Sequence, residues 1–254
     1  MKTVLSIAGS DSSAGAGIQQ DLKTITSLGC YGATVITAIT SQNTLGVQDV
    51  MPVPASVVKS QIASVLSDLD VSAIKIGMIP NREVAEVIVE TLKNSLPWGV
   101  MGLMCPVIYD PVMVSTSGRR LMDEGSLDYI IENLIPLCTL VTPNIPEHDV
   151  LMKSSCKVDN SSAVLVKGGH ADGGDMTDTL YLPDGTVERF TSPRIETSNL
   201  HGTGCTLSSA IASYLAMGES ITEAVRKAKQ VIDKGISGGR NLRIGKGNGP
   251  LWLF

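Results

Sequence analysis

Apolar and polar positions alternate along this chain in short blocks, and the period changes from block to block. Val4–Ala8 is apolar except for Ser6 and predicts a strand, while Gly17–Leu28 has a helical period and stops at Gly29. Val35–Ile39 returns to β-rich residues. Ser56–Leu69 predicts a helix with Val57, Ile62, Val65, Leu66 and Leu69 near one face. Ala73–Ile76 predicts a strand, Arg82–Leu96 a helix, and Pro106–Tyr109 a strand ending at Asp110-Pro111. Ser126–Leu134 reads as a helix, and Leu137–Val141 as a strand ending in Thr142-Pro143-Asn144. Ala163–Val166 predicts a strand running into Lys167-Gly168-Gly169-His170. Thr206–Met217 and Ile221–Gly235 read as two helices.

Such alternation predicts an α/β fold with a mostly parallel sheet and helices on both faces. Sheets of this kind bind ligands beyond the carboxyl ends of their strands. Asp11, Asp110, Asn144 and Lys167 each stand just past a predicted strand, so they are expected along one sheet edge. Strand-to-helix turns favour Asp and Asn on their own account, so the set carries this inference and no single member does. Thr179–Phe190 has a different pattern: two β-rich runs flank Pro183-Asp184-Gly185-Thr186, which predicts an antiparallel edge hairpin. Residues 1–254 contain no repeat, low-complexity tract or linker, and a single domain is expected.

The 254 residues are 43% hydrophobic and only 4% aromatic, so the core must be built from Val, Ile, Leu, Ala and Met. A net charge of −5 argues against nucleic-acid binding, which needs a basic face, and leaves room for a local cationic pocket. Five cysteines without C-x-x-C spacing argue against a disulfide framework or a zinc site and for a reducing cytoplasm. The first residues lack the apolar run of a signal peptide. No apolar run reaches the roughly 20 residues of a membrane span.

The strongest local signal is His201-Gly202-Thr203-Gly204-Cys205-Thr206, which opens the apolar stretch Leu207–Tyr214. A glycine-rich turn entering a helix exposes backbone N–H groups at the positive end of the helix dipole, which suits a phosphate. A thiol there is expected to have a lowered pKa, so the Cys205 thiolate is a candidate proton acceptor. A second glycine-rich stretch, Gly9–Gly17, also lies between a strand and a helix. It lacks the third glycine of G-x-G-x-x-G, where Gln20 stands, and no G-x-x-x-x-G-K-[ST] occurs. Magnesium-dependent phosphoryl transfer on another scaffold needs carboxylates for the metal and donors for the phosphates. Asp110 and Glu147 are candidates for the first role and Lys167 for the second.

GSDSSAGAGIQQDLKT, TAITSQNT, KIGM, YDPVMVSTSG, LVTPNIPE, VLVKGGH and HGTGCTLSSAI follow one another along the chain. In this order they resemble the hydroxymethylpyrimidine/phosphomethylpyrimidine kinase family, from Val4 to the closing GNGPLWLF. The resemblance implies a ribokinase-like three-layer α/β/α fold, a homodimer, ATP and Mg²⁺. It implies two successive phosphoryl transfers, to 4-amino-5-hydroxymethyl-2-methylpyrimidine and then to its monophosphate. By the same resemblance Cys205 takes the catalytic base position, and Gly202, Thr203 and Gly204 form the anion hole. Gln42 takes the position that hydrogen-bonds the pyrimidine, with Gly9, Asp21, Met78 and Val112 around it. Asp110 and Glu147 match the metal region, with Asn144, Lys167 and Thr203 toward the nucleotide.

The chain departs from the family pattern in two places. Thr116-Ser117-Gly118 stands where many members read K-S-G, which removes a phosphate-contacting lysine and leaves Arg119 or Arg120 as its substitutes. Between Glu147 and Ala163 the family usually carries a longer segment with an extra helix. Three other readings compete. A pyridoxal kinase would use the same phosphate machinery on a related hydroxymethyl heterocycle. An idle ligand sensor would not need the intact GTGC turn, and a sugar kinase typically carries Asp at the Cys205 position.

Overall fold

The computed structural model describes residues 1–95, 105–114, 118, 121–154, 161–168 and 174–254. Thr116, Ser117, Arg119, Arg120, Cys156, His170 and most of the Met152–Ser162 segment lie outside the described residues, as does Leu96 at the end of its expected helix.

The chain runs β1 (Thr3–Asp11), α1 (Gly17–Ser27), β2 (Tyr31–Asn43), β3 (Gly46–Pro52), α2 (Ala55–Leu66), β4 (Val71–Ile76), α3 (Arg82–Ser95) and β5 (Val107–Tyr109). It continues through α4 (Leu127–Asn133), β6 (Leu140–Val141), α5 (Ile145–Lys153), β7 (Ala163–Val166), β8 (Asp175–Tyr181), β9 (Val187–Pro193), α6 (Thr203–Ala216) and α7 (Ile221–Gly239). All nine strands form one sheet in the order β3-β2-β1-β4-β5-β6-β7-β8-β9. The six strands from β2 to β7 are parallel. β3 closes one edge antiparallel, and the expected hairpin β8–β9 closes the other.

Successive strand residues point to opposite faces, and the apolar set divides accordingly. Leu5, Ile7, Ile74, Ile76 and Tyr109 pack under α2, α3 and α4. Val4, Ala73, Ile108, Leu140 and Leu165 pack under α1, α6 and α7. The result is the expected α/β/α sandwich, with helices on both faces of a buried sheet. α6 lies against both α1 and α7. Ser208, Ser209, Ala210, Ala212 and Ser213, all small, let it be buried along almost its whole length.

Local differences from the sequence pattern have physical causes. β3 was not expected, because Gly46–Pro52 is an edge strand with no buried alternation. α2 stops at Leu66 and buries Val58 and Ile62, while Val57 faces solvent. The helix α5 was not expected either, although Asn144 and Glu147 form a capping box with Pro146 in the first turn. The first turn of α6 begins at Thr203, so the GTGC residues are helical from Thr203 onward.

Candidate active site

The 201–205 turn owes its shape to one glycine. Gly202 has φ +85°, the left-handed region that favours glycine, and a Cβ there would lie 1.9 Å from the carbonyl oxygen of Gly15. The turn is thereby locked against the first glycine-rich loop. Thr203, Gly204 and Cys205 follow as the first residues of α6, with their N–H groups at the positive end of a 14-residue helix. Gly204 faces charge. A Cβ on it would stand 3.4 Å from Asp110 Oδ2 and 3.5 Å from Lys167 Nζ.

Asp110 and Lys167 follow β5 and β7, two strands of the same parallel set, so their side chains meet beyond one sheet edge. Lys167 Nζ donates to Asp110 Oδ1 at 2.8 Å, and Thr142 Oγ1 donates to the same oxygen at 3.2 Å. Asn144 bridges in parallel to Lys167 and caps α5, and Glu147 Oε2 accepts from the Asn144 N–H at 2.9 Å. Burial pushes the Asp110 carboxyl up, and the positive charges of Lys167 and Lys75 outweigh it, so its pKa is lowered. Glu147 is instead raised by burial, which Lys167 only partly offsets while Asp110 adds to it. Burial depresses Lys167, but Asp110 and Glu147 more than restore its charge.

Among the described residues no three His, Cys, Asp or Glu side chains form a cluster that would hold a metal unaided. Asp110 and Glu147 are a two-carboxylate set. That set fits Mg²⁺, which binds through one or two carboxylates and fills its remaining positions with water and phosphate oxygens.

The first glycine-rich loop is not an anion site for a ligand, because it holds an anion of its own. The Asp11 carboxylate accepts from the backbone N–H groups of Ser13, Gly15 and Ala16 at 2.8, 3.1 and 2.9 Å, and from Ser13 Oγ at 2.8 Å. It also lies 2.9 Å from His201 Nε2. Burial raises its pKa, and the His201 and Ser13 hydrogen bonds outweigh that, so it is lowered. Asp11 was expected on the same edge as Asp110. It is, but its partner is His201 rather than the Asp110–Lys167 pair.

Gln42 lies at the end of β2, with its amide nitrogen 3.1 Å from His201 Nε2 and its amide oxygen 3.2 Å from Thr40 Oγ1. Gly9 faces Met78, whose sulfur would lie 3.0 Å from a Cβ at position 9. Met78 is held in turn through its carbonyl, which accepts from Thr37 Oγ1 at 2.7 Å. Val112 is half-buried two residues beyond Asp110, and its N–H donates to the Asp110 carbonyl. Residues 247–250 tie this end together. Asn248 N donates to Thr44 O, and His201 N donates to Gly249 O.

Asp21 lies beneath the start of α6, where its charge acts on Cys205. It is fully buried and pairs with the equally buried Lys75 at 2.9 Å, while Ser6 Oγ and Ser209 Oγ donate to it at 2.6 and 2.8 Å. Sequence reasoning passed over Lys75, although one lysine inside the otherwise apolar Val71–Ile76 run signals a buried, paired charge. His201 was also passed over as a site residue.

Cys205 corrects one expectation. Its thiol is pushed up to about 11, first by burial and then by the negative charges of Asp21 and Asp110, against the pull of Lys75 and the Gly17 N–H. Desolvation therefore outweighs the helix N-terminus here, and the resting group is a thiol.

The sequence matches the phosphomethylpyrimidine kinase family over residues 11–252. A hydroxymethylpyrimidine/phosphomethylpyrimidine kinase of Rhizobium meliloti is 46% identical over 98% of this chain and 96% of its own length. A crystal structure of phosphomethylpyrimidine kinase from Clostridium difficile, 40% identical, superposes with a TM-score of 0.77 over 93% of this chain and all of that one. An ADP complex of Bacillus subtilis pyridoxal kinase is 30% identical and superposes with a TM-score of 0.85, covering 100% of this chain and 97% of that one. No helix among the described residues is long and apolar enough to cross a membrane. With its ordered motifs, its three-layer fold and these full-length matches, the chain belongs to the phosphomethylpyrimidine kinase family, whose members are phosphotransferases.

Proposed function

We propose that the protein transfers the γ-phosphoryl group of ATP to the hydroxymethyl oxygen of 4-amino-5-hydroxymethyl-2-methylpyrimidine, and then a second phosphoryl group to that monophosphate, in thiamine biosynthesis. The observation that carries this reading is the approach of Gly204 to Asp110 Oδ2 and Lys167 Nζ, at 3.4 and 3.5 Å from a Cβ position. The helix N-terminus, a cation and a carboxylate thereby share one small volume, which is the charge arrangement a transferring phosphoryl group needs.

In this reading the substrate oxygen bonds to the γ-phosphorus, the bond to the bridging oxygen breaks, and ADP leaves. The N–H groups of Gly202, Thr203 and Gly204 hold the equatorial oxygens. Lys167, Asn144 and Thr203 face the nucleotide. Asp110 and Glu147 would hold Mg²⁺, whose chemistry would be to offset the negative charge of the phosphates. Gln42 reads the pyrimidine edge, with Gly9, Met78 and Val112 beside it, and Asp21 acts from below through Lys75. The substrate proton goes to Cys205 in its thiolate form.

The chain acts as one domain and as a homodimer in the cytoplasm. Ile39 and Met51, paired across β2 and β3, are 46% and 56% exposed, and Leu45 in the turn joining these strands is 63% exposed, which suits a subunit contact at this edge.

A coupled assay of ADP release in Mg²⁺ and ATP tests the reading against the pyrimidine alcohol, its monophosphate and pyridoxal. Turnover of the alcohol is expected, and its absence in folded protein overturns the proposal. The close superposition on pyridoxal kinases favours one second reading, a kinase of pyridoxal, and preferential turnover of pyridoxal would establish it. Activity on the monophosphate measures what Thr116 does in place of the usual lysine.

A further inference from the structure

Gln42 has a primary amide whose two ends are chemically opposite, so which end faces which neighbour decides what it offers a ligand. The surrounding protons settle this. Asp11 accepts three backbone N–H bonds and is an anion at neutral pH, so it can only accept from His201 Nε2 at 2.9 Å. That nitrogen therefore carries a hydrogen. An N–H cannot accept, so the Gln42 group 3.1 Å from it must be the carbonyl oxygen, which shares that one hydrogen with the Asp11 carboxylate.

The other end of the amide gives the same answer independently. Thr40 Oγ1 lies 2.9 Å from the carbonyl oxygen of Ser10, which can only accept, so the single hydroxyl hydrogen of Thr40 is spent there. Toward Gln42, at 3.2 Å, Thr40 has only lone pairs to offer and requires the amide NH₂. Both constraints favour the exchanged amide, with its oxygen toward His201 and its nitrogen toward Thr40, over the arrangement that sets the amide nitrogen against the His201 N–H. One lone pair and one N–H remain, side by side, for an aminopyrimidine edge that presents a ring nitrogen and an exocyclic amine.

We infer that His201, backed by Asp11, is a positioning residue that fixes the amide orientation of Gln42 and so sets the donor–acceptor order the enzyme reads. Without the His201 N–H only the longer 3.2 Å Thr40 contact holds the amide, and the reversed order becomes more populated. His201 immediately precedes the anion-hole turn, and its ring packs on the Gly15 backbone, where a Cβ would meet Cδ2 at 2.3 Å. The same side chain therefore joins the turn that faces phosphate to the residue that faces the heterocycle.

Two experiments test this. The kinetic one rests on the pyrimidine reading of Gln42, and the spectroscopic one does not. In the intact protein labelled with ¹⁵N-histidine, the His201 signal, assigned by its loss in the His201→Gln variant, is expected to show a protonated Nε2. An acceptor-type Nε2 overturns the inference whatever the substrate proves to be. In kinetics, His201→Phe keeps a ring but loses the N–H, and is expected to raise the KM of the pyrimidine alcohol about 5- to 50-fold with less than about twofold change in the KM of ATP. His201→Gln, which restores an N–H at about the Nε2 position, recovers most of that loss. In a Gln42→Ala background the His201→Phe change adds less than about twofold, because the residue it positions is gone. Additive losses, equal losses for both substrates, or no recovery in His201→Gln overturn the inference. A protein that turns over no pyrimidine alcohol at all removes the functional reading instead and leaves the spectroscopic result standing.

Discussion

At Cys205 two local effects oppose each other. The residue opens α6, where the helix dipole favours a thiolate, and it is half-buried near Asp21 and Asp110, where desolvation and their charges favour a thiol. The second effect wins, with a pKa of about 11. Only the deprotonated thiol accepts a proton, and its population rises about tenfold per pH unit up to that pKa. In the wild type, kcat at saturating substrates is therefore expected to climb between pH 7 and 9.5, and in Cys205→Ala to be lower by at least about tenfold at the top of that range with a flattened profile. Parallel profiles for the two proteins would remove Cys205 as the proton acceptor. The place of this cysteine was legible in the sequence from the glycine turn before an apolar stretch. Its proton affinity was not, because the carboxylates that raise it come from α1 and from the end of β5. His201 stayed unread for the same reason, since Asp11 and Gln42 reach it from 190 and 159 positions away.

Among the elements, the start of α6 separates shape from chemistry in two glycines. Gly202→Ala forces a Cβ to within 1.9 Å of the Gly15 carbonyl at a left-handed φ, so the loop pair must open. A loss of about 2 kcal/mol or more is expected in denaturant unfolding, together with lost activity. Gly204→Ala places its Cβ at ordinary contact distances of 3.4 and 3.5 Å, within a helix that tolerates alanine well. It should keep the wild-type midpoint within about 0.5 kcal/mol while kcat falls at least tenfold, because the methyl occupies the space of the phosphoryl oxygens. Loss of both stability and activity in each variant would contradict this division. Period-based reading found most of the helices from the apolar positions they turn to the core, and the parallel strands from short continuous apolar runs, because both their faces are covered. It missed β3, which buries neither face. It also missed α5, whose start is marked by a polar cap rather than by an apolar stripe.

Over the whole molecule, the two apolar layers hold the sheet, and a fully buried ion pair lies between it and α1. Lys75 on β4 and Asp21 on α1 have no exposure, and Ser6 on β1 and Ser209 on α6 complete the carboxylate's bonds. Lys75→Met leaves that carboxylate without its cation and is expected to cost about 3–5 kcal/mol by denaturant unfolding. Adding Asp21→Asn should recover part of the loss, and a double variant no more stable than the single one would show that packing, not charge, sets the cost. The layers were legible as alternating strands and helices. The ion pair was legible only as an oddity, a lysine among apolar neighbours, whose partner lies 54 positions earlier in the chain. The strap at residues 247–250 adds a consequence for biosynthesis. Asn248 reaches back to Thr44 and Gly249 to His201, so the two segments that present Gln42 and the anion turn are tied by residues translated after every strand and helix. On the ribosome, the sheet and its helices are made before these two bonds can form, and a nascent chain halted before Asn248 has the fold's elements but not the fastened site.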